Sequence, residues 1–172
     1  MSATVARSHI LGTGRYLPSR VLANTDLERL VDTSDDWIVS RTGIRERRIA
    51  AEGENSSDMA AAAAREAIRA AGLLPTDIDL IVVATVTPDM PLPATAMFVQ
   101  QKIGARPTCP GFDLSAACGG FVYGLAVADQ FVRAGGAKHV LVIGVELLSR
   151  ILDWTDRSTC VLFGDGAGAV VV

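Results

Sequence analysis

DLIVVATV, residues 79–86, is the stretch whose reading decides the fold class. A continuous apolar run of strand length fits a parallel strand covered on both faces, because a strand with one wet face would alternate apolar and polar residues. HVLVIGV, residues 139–145, repeats the pattern. Between and around these runs lie helical segments. Residues 57–71 are rich in alanine and strong helix formers, and Gly72 followed by LLP stops them. ATAMFVQQKIG at 94–104 and CGGFVYGLAVADQFVRAGG at 118–136 have the same character, with PTCPGFDLSAA at 107–117 returning as a strand. Strands alternating with helices at this spacing predict right-handed crossover units and an α/β fold around a mostly parallel sheet with helices on both faces. Nothing linker-like divides the chain, so residues 1–172 are expected to form one domain.

Composition narrows the function classes. With 172 residues, 49% of them hydrophobic, the chain can bury a core of ordinary size. A net charge of -3 offers no broad basic field, which argues against nucleic acid or an anionic membrane surface as a partner. The apolar runs fall short of the roughly 20 residues that cross a bilayer. MSATVARSHILGTG, residues 1–14, has no apolar core of signal-peptide length, so a cytoplasmic location is expected. Cys109, Cys118 and Cys160 include no C-x-x-C pair and there are only two histidines, His9 and His139, so neither a disulfide framework nor a metal site is suggested.

Shorter signals fill in the rest. HILGTGRYLP, residues 9–18, reads as a first strand closed by glycine and proline, followed by a helix for which Thr25 and Glu28 have capping-box spacing. Thr33 and Ser34 precede DDWIVSRTG, residues 35–43: acids in the first turn, Arg41 in the last, and Gly43 placed as a left-handed cap. RERRIAAEGENSSD, residues 45–58, is charged and rich in turn residues and reads as a solvated connection with no chemistry. FGDGAGAVVV, residues 163–172, lacks the G-x-G-x-x-G register and a Walker lysine, so it reads as a tight turn into a buried strand rather than a phosphate loop. A strand there is expected to need cover from further polypeptide.

Cys118 stands where an apolar strand gives way to a long amphipathic helix, with Gly119 and Gly120 following. Amide groups and the positive end of a helix dipole at such a place favour thiolate over thiol and can bind an oxyanion, while the glycines allow close approach of substrate. Cys109 and Cys160 carry no such signal and read as small buried hydrophobes.

AACGGF preceded by FDLS, with TSDDWIVSRTGIRERR upstream and TDRSTCVLFGDGAGAVVV downstream, resembles β-ketoacyl-acyl carrier protein synthase III of the thiolase-fold condensing enzymes, over essentially the whole chain. The resemblance implies the amino-terminal half of a duplicated αβαβα architecture. It also implies a two-stage acyl transfer: an acyl group passes from acyl-coenzyme A to Cys118, and malonyl-acyl carrier protein is then decarboxylated and condensed with it to start fatty-acid synthesis. No cofactor beyond the coenzyme A thioester substrate is implied.

The same resemblance assigns residues. Thr33, Trp37 and Arg41 match its coenzyme A-binding segment, and Arg157 matches an arginine that with Trp37 holds the adenine. Leu148, Leu162 and Phe163 fall where the family lines the pocket beside the cysteine. Leu92 falls in a loop that approaches the acyl pocket of a partner subunit, and its small size suggests room for an acyl group beyond acetyl. A homodimer joined near GFDLS, residues 111–115, is expected. The histidine and asparagine that complete the family's site belong to a carboxy-terminal half, which a complementary chain would have to carry; neither His9 nor His139 matches them. Three other readings compete: a thiolase-fold relative making a polyketide or quinolone precursor, a non-catalytic fragment acting as a dimerisation partner, and a dinucleotide-binding domain. LGTGRYLP, residues 11–18, lacks the third glycine of the last.

Overall fold

The computed structural model describes residues 7–172, so the first six residues of the polar leader lie outside it. Its main sheet has five strands, β1 (Gly12–Tyr16), β4 (Leu80–Ala84), β5 (Gly111–Leu114), β6 (Val140–Leu147) and β7 (Asp165–Val171), in the order β1-β7-β6-β4-β5. Strands β6, β4 and β5 are parallel, as the continuous apolar runs of β4 and β6 predict. Strand β7 runs against both β6 and β1, so four of the five strands point the same way. The cover expected for β7 from elsewhere is supplied by this chain: β1 pairs along its free edge, and Val171 is fully buried.

Alternation along the strands divides the core in two. Ile81, Val83, Leu141, Ile143, Ala167 and Ala169 face α3 (Ser56–Ala70) and α4 (Thr95–Ile103). Leu80, Val82, Val140, Val142 and Val170 face α5 (Gly120–Arg133) on the other side. Helices therefore cover both faces, although Val122 and Tyr123 on the outer side of α5 are exposed. Strand β1 meets α3 unusually closely, since a methyl group added at Gly14 would collide with the backbone of Ala63 and Ala67. The alanine run of α3 is what permits that approach.

A smaller layer packs beside the sheet. It comprises β2 (Arg20–Ala23) and β3 (Glu46–Ile49), which form an antiparallel pair, with α1 (Asn24–Leu27) and α2 (Asp35–Thr42). Helix α2 forms as its sequence predicts: the Ser34 hydroxyl accepts from the Trp37 N–H, and Gly43 closes it with φ 73°. Helix α1 is capped differently from the Thr25–Glu28 expectation. The Asp26 carboxylate accepts from the Ala23 N–H, while Glu28 turns away to accept from the Asp35 N–H.

The reading of residues 45–58 as a solvated connection is corrected. Glu46–Ile49 is strand β3, and Arg47 is only 6% exposed. Its guanidinium donates to Asn24 Oδ1 at 2.8 Å and to the Val161 carbonyl at 2.7 Å, so burial of the charge is compensated by hydrogen bonds. Together with Leu22, Ile38, Cys160 and Val161 it closes a satellite core.

Candidate active site

Parallel strands deliver their carboxyl ends to one edge of a sheet, and the loops that follow build sites there. Here that edge carries Cys118. After β5 the chain enters a single 3-10 turn, Ala117–Gly119, before α5 starts at Gly120; the cysteine thus sits two residues ahead of the helix rather than opening it. Ala117 adopts φ 45°, the one described non-glycine residue at positive φ. A left-handed alanine costs of order 1 kcal/mol, and such strain collects where a side chain must be held in a particular direction. What it holds is an exposed thiol, in contrast to buried Cys109 and Cys160.

Two shallow clefts meet at that thiol. One, of about 230 Å³, is bounded by Ala84, Phe121, Gly144 and Gly166; the other, of about 240 Å³, by Val86, Leu148 and Phe163. Cys118 and Glu146 line both. The two following glycines have separate reasons to be glycine. A methyl group at Gly120 would stand 3.1 Å from Ala84 Cβ, so this residue lets α5 close onto β4, whereas one at Gly119 would only touch the Tyr123 ring at 3.6 Å. Their amides are also engaged within the turn, Gly119 N–H on the Ala116 carbonyl at 3.1 Å and Gly120 N–H on that of Ala117. The free donors expected of them are therefore used locally.

Glu146 and Asp165 were not singled out by the sequence reading. The Glu146 carboxylate accepts from the Val86 N–H at 3.0 Å and the Thr87 hydroxyl at 2.7 Å, fixing the start of the loop after β4. Asp165, buried at the head of β7, accepts from the Ala50 N–H at 2.7 Å and from the N–H and hydroxyl of Ser149 at 2.9 and 2.6 Å. Glu146 had a visible signal: it is the only charged residue in an otherwise apolar strand.

Of the other residues assigned by resemblance, Leu148 and Phe163 are brought to Cys118. Leu162, 42% exposed, lines neither cleft, and Leu92, 83% exposed, stands out in the loop following Thr87. A second group gathers on α2. The Trp37 ring lies under the guanidinium carbons of Arg41 and Arg157, 4.5 and 4.9 Å from its centroid. Arg157 is tethered by the Asp32 carbonyl at 2.6 Å, and the Thr33 hydroxyl is buried with no hydrogen-bond partner among the described residues. A flat ring inserted between Trp37 and Arg157 needs about 7 Å, two contact distances, so the guanidinium must swing aside to admit one. His9 is exposed, and His139 lies at the start of β6, the opposite end of that strand from Glu146.

The sheet with helices on both faces is a thiolase-like fold, and it places the exposed Cys118 on a strained turn above the ends of its parallel strands. The model of the family 3-oxoacyl-[acyl-carrier-protein] synthase III matches residues 112–172. A β-ketoacyl-[acyl-carrier-protein] synthase III of Thiobacillus denitrificans is 66% identical over 165 residues, 96% of this chain and 52% of the relative. The crystal structure of 3-oxoacyl-[acyl-carrier-protein] synthase III from Aquifex aeolicus superimposes with a TM-score of 0.91 at 59% identity, covering 94% of this chain and 52% of that one. A priming β-ketosynthase of a polyketide pathway gives 0.91 at 44% identity, covering 95% of this chain and 48% of its own. The chain is similar in sequence and fold to β-ketoacyl-[acyl-carrier-protein] synthase III, and spans about half the length of the curated relatives it matches.

Proposed function

We propose that this chain supplies the acyl-loading half of a condensing enzyme. Cys118 takes an acyl group from acyl-coenzyme A, and within the complete architecture that group is condensed with malonyl-acyl carrier protein to start fatty-acid synthesis. The observation that carries the reading is the exposed Cys118 at the junction of two clefts, in a sequence 66% identical to a β-ketoacyl-acyl carrier protein synthase III. A thiolate there attacks the thioester carbonyl; a new sulfur–carbon bond forms, the bond to coenzyme A breaks, and coenzyme A leaves as a thiolate. Leu148 and Phe163 offer the acyl chain an apolar wall. Trp37, with Arg157 moved aside and Arg41 beside it, offers a face for adenine and cations for phosphate, and the buried Thr33 hydroxyl, which has no partner among the described residues, bonds to the ligand only by turning outward.

Incubation with acetyl-coenzyme A followed by intact mass measurement tests the loading step: one acetyl adduct is expected on the native chain and none on Cys118→Ala. Condensation needs the histidine and asparagine donors of the family's other half, so this chain alone loads without releasing a β-ketoacyl product. A homodimer fits the reading, because β5 is an edge strand with Phe112 exposed on it. No described helix is long and apolar enough to cross a membrane. The likeness to a polyketide priming synthase supports a second reading, a polyketide starter as product, which analysis of products from defined acyl donors separates.

A further inference from the structure

Among the described residues, Glu146 is the one ionisable residue besides Cys118 in the lining of the two clefts, which are otherwise built of glycine and apolar side chains. Its carboxylate cannot swing away freely: the Val86 N–H donates to Oε1 at 3.0 Å and to Oε2 at 3.3 Å, and the Thr87 hydroxyl donates to Oε2 at 2.7 Å. Thr87 is itself held, accepting from the Leu147 N–H at 2.8 Å. A held carboxylate on β6 thus shares the lining of both clefts with the nucleophile, and among the described residues no lysine, arginine or histidine lines either cleft to neutralise it.

We infer that Glu146 is a specificity-determining residue, a charge filter that disfavours transfer to Cys118 of acyl groups bearing a free carboxylate. The inference rests on the reading of Cys118 as the nucleophile. A neutral acyl chain entering either cleft meets apolar walls, whereas a malonyl or succinyl chain brings a second carboxylate toward the first, and the two like charges repel. The filter matters for an enzyme whose two substrates are both thioesters. It leaves the thiol to the uncharged acyl group and keeps the dicarboxylic one from occupying it first.

Alkylation of the 172-residue chain isolates the effect. Iodoacetamide and iodoacetate both react with the thiolate, each forming a sulfur–carbon bond and releasing iodide, so the thiolate fraction cancels in the ratio of their rates. Taken relative to the same chain in urea, native Cys118 is expected to disfavour iodoacetate about three- to tenfold. Glu146→Gln abolishes that discrimination and Glu146→Asp, which keeps the charge, retains most of it. Equal ratios in the folded and unfolded native chain overturn the filter without recourse to any variant, as does a Glu146→Gln ratio matching the native one. If neither reagent labels folded Cys118, the nucleophile reading itself falls and the filter with it, an outcome distinct from labelling without discrimination.

Discussion

The guanidinium of Arg47 donates to the carbonyl of Val161, 114 residues along the chain, at 2.7 Å. It ties the β2–β3 pair to the segment that leads past Phe163 into β7, and so links the Trp37 layer to the rim of the cysteine cleft. Removing it leaves the Val161 carbonyl and Asn24 Oδ1 without a donor. Arg47→Ala is expected to cost about 2–4 kcal/mol, read as a lower urea midpoint with an unchanged slope.

Gly14 has a steric role on β1. Because an added methyl group would meet the backbone of Ala63 and Ala67, strand or helix must move, and neither can do so without losing its pairing. Gly14→Ala should destabilise by about 3 kcal/mol or more. Gly168, with nothing near its missing side chain, is the control: Gly168→Ala should fall within about 1 kcal/mol of the native chain in the same denaturation experiment.

Asp79 clamps the starts of β4 and β6. Burial pushes its carboxyl up, but N–H groups of His139 and Lys138 at 3.0 and 2.9 Å and the Arg106 guanidinium at 2.7 Å outweigh that and hold it below the ordinary range. The unfolded chain therefore binds the proton more readily. The stability is present above the unfolded value of about 3.9 and is lost as pH falls through the lower native one. Asp79→Asn should cost about 1–2 kcal/mol at neutral pH, with the gap to the native chain closing below about pH 4 in urea titrations.

Ala117 at φ 45° invites a paired test. Glycine accepts that conformation without strain, so Ala117→Gly should change stability by less than about 1 kcal/mol, whereas the β-branched Ala117→Val should cost about 1–3 kcal/mol. The latter should also slow iodoacetamide labelling of Cys118 by displacing the turn.

Cys109 and Cys160 have thiols pushed up by burial, and both are closed to solvent. One carboxamidomethyl group per folded chain and three in urea are expected by mass spectrometry. Two or more on the folded chain would mean that the satellite core around Cys160 or the packing around Cys109 opens readily.

Local signals carried much of the fold. DLIVVATV and HVLVIGV became the central parallel strands, Ser34 and Gly43 bounded α2, and the turn before α5 exposed Cys118. Residues 46–49 escaped because one of the two inward positions of β3 is an arginine, which breaks the apolar alternation that marks a strand; Asn24 and Val161, far apart in sequence, make that burial tolerable. The place of β7 between β1 and β6 depends on long-range pairing, to which no local propensity points. Glu146 was overlooked for a similar reason: a charge in a strand gains meaning only when its neighbours across the sheet are known.

The seat of β7 also sets an order of events on the ribosome. Gly12 pairs with Val171, so β1 leaves the exit tunnel long before β7 and has no sheet neighbour until β7 follows it. At about 5–20 residues per second this leaves β1 waiting roughly ten seconds or longer. During that interval its glycine-rich backbone is a ready target for chaperones or for a neighbouring nascent chain, and mutations that slow arrival of β7 should show up as lost yield before they show up as lost activity.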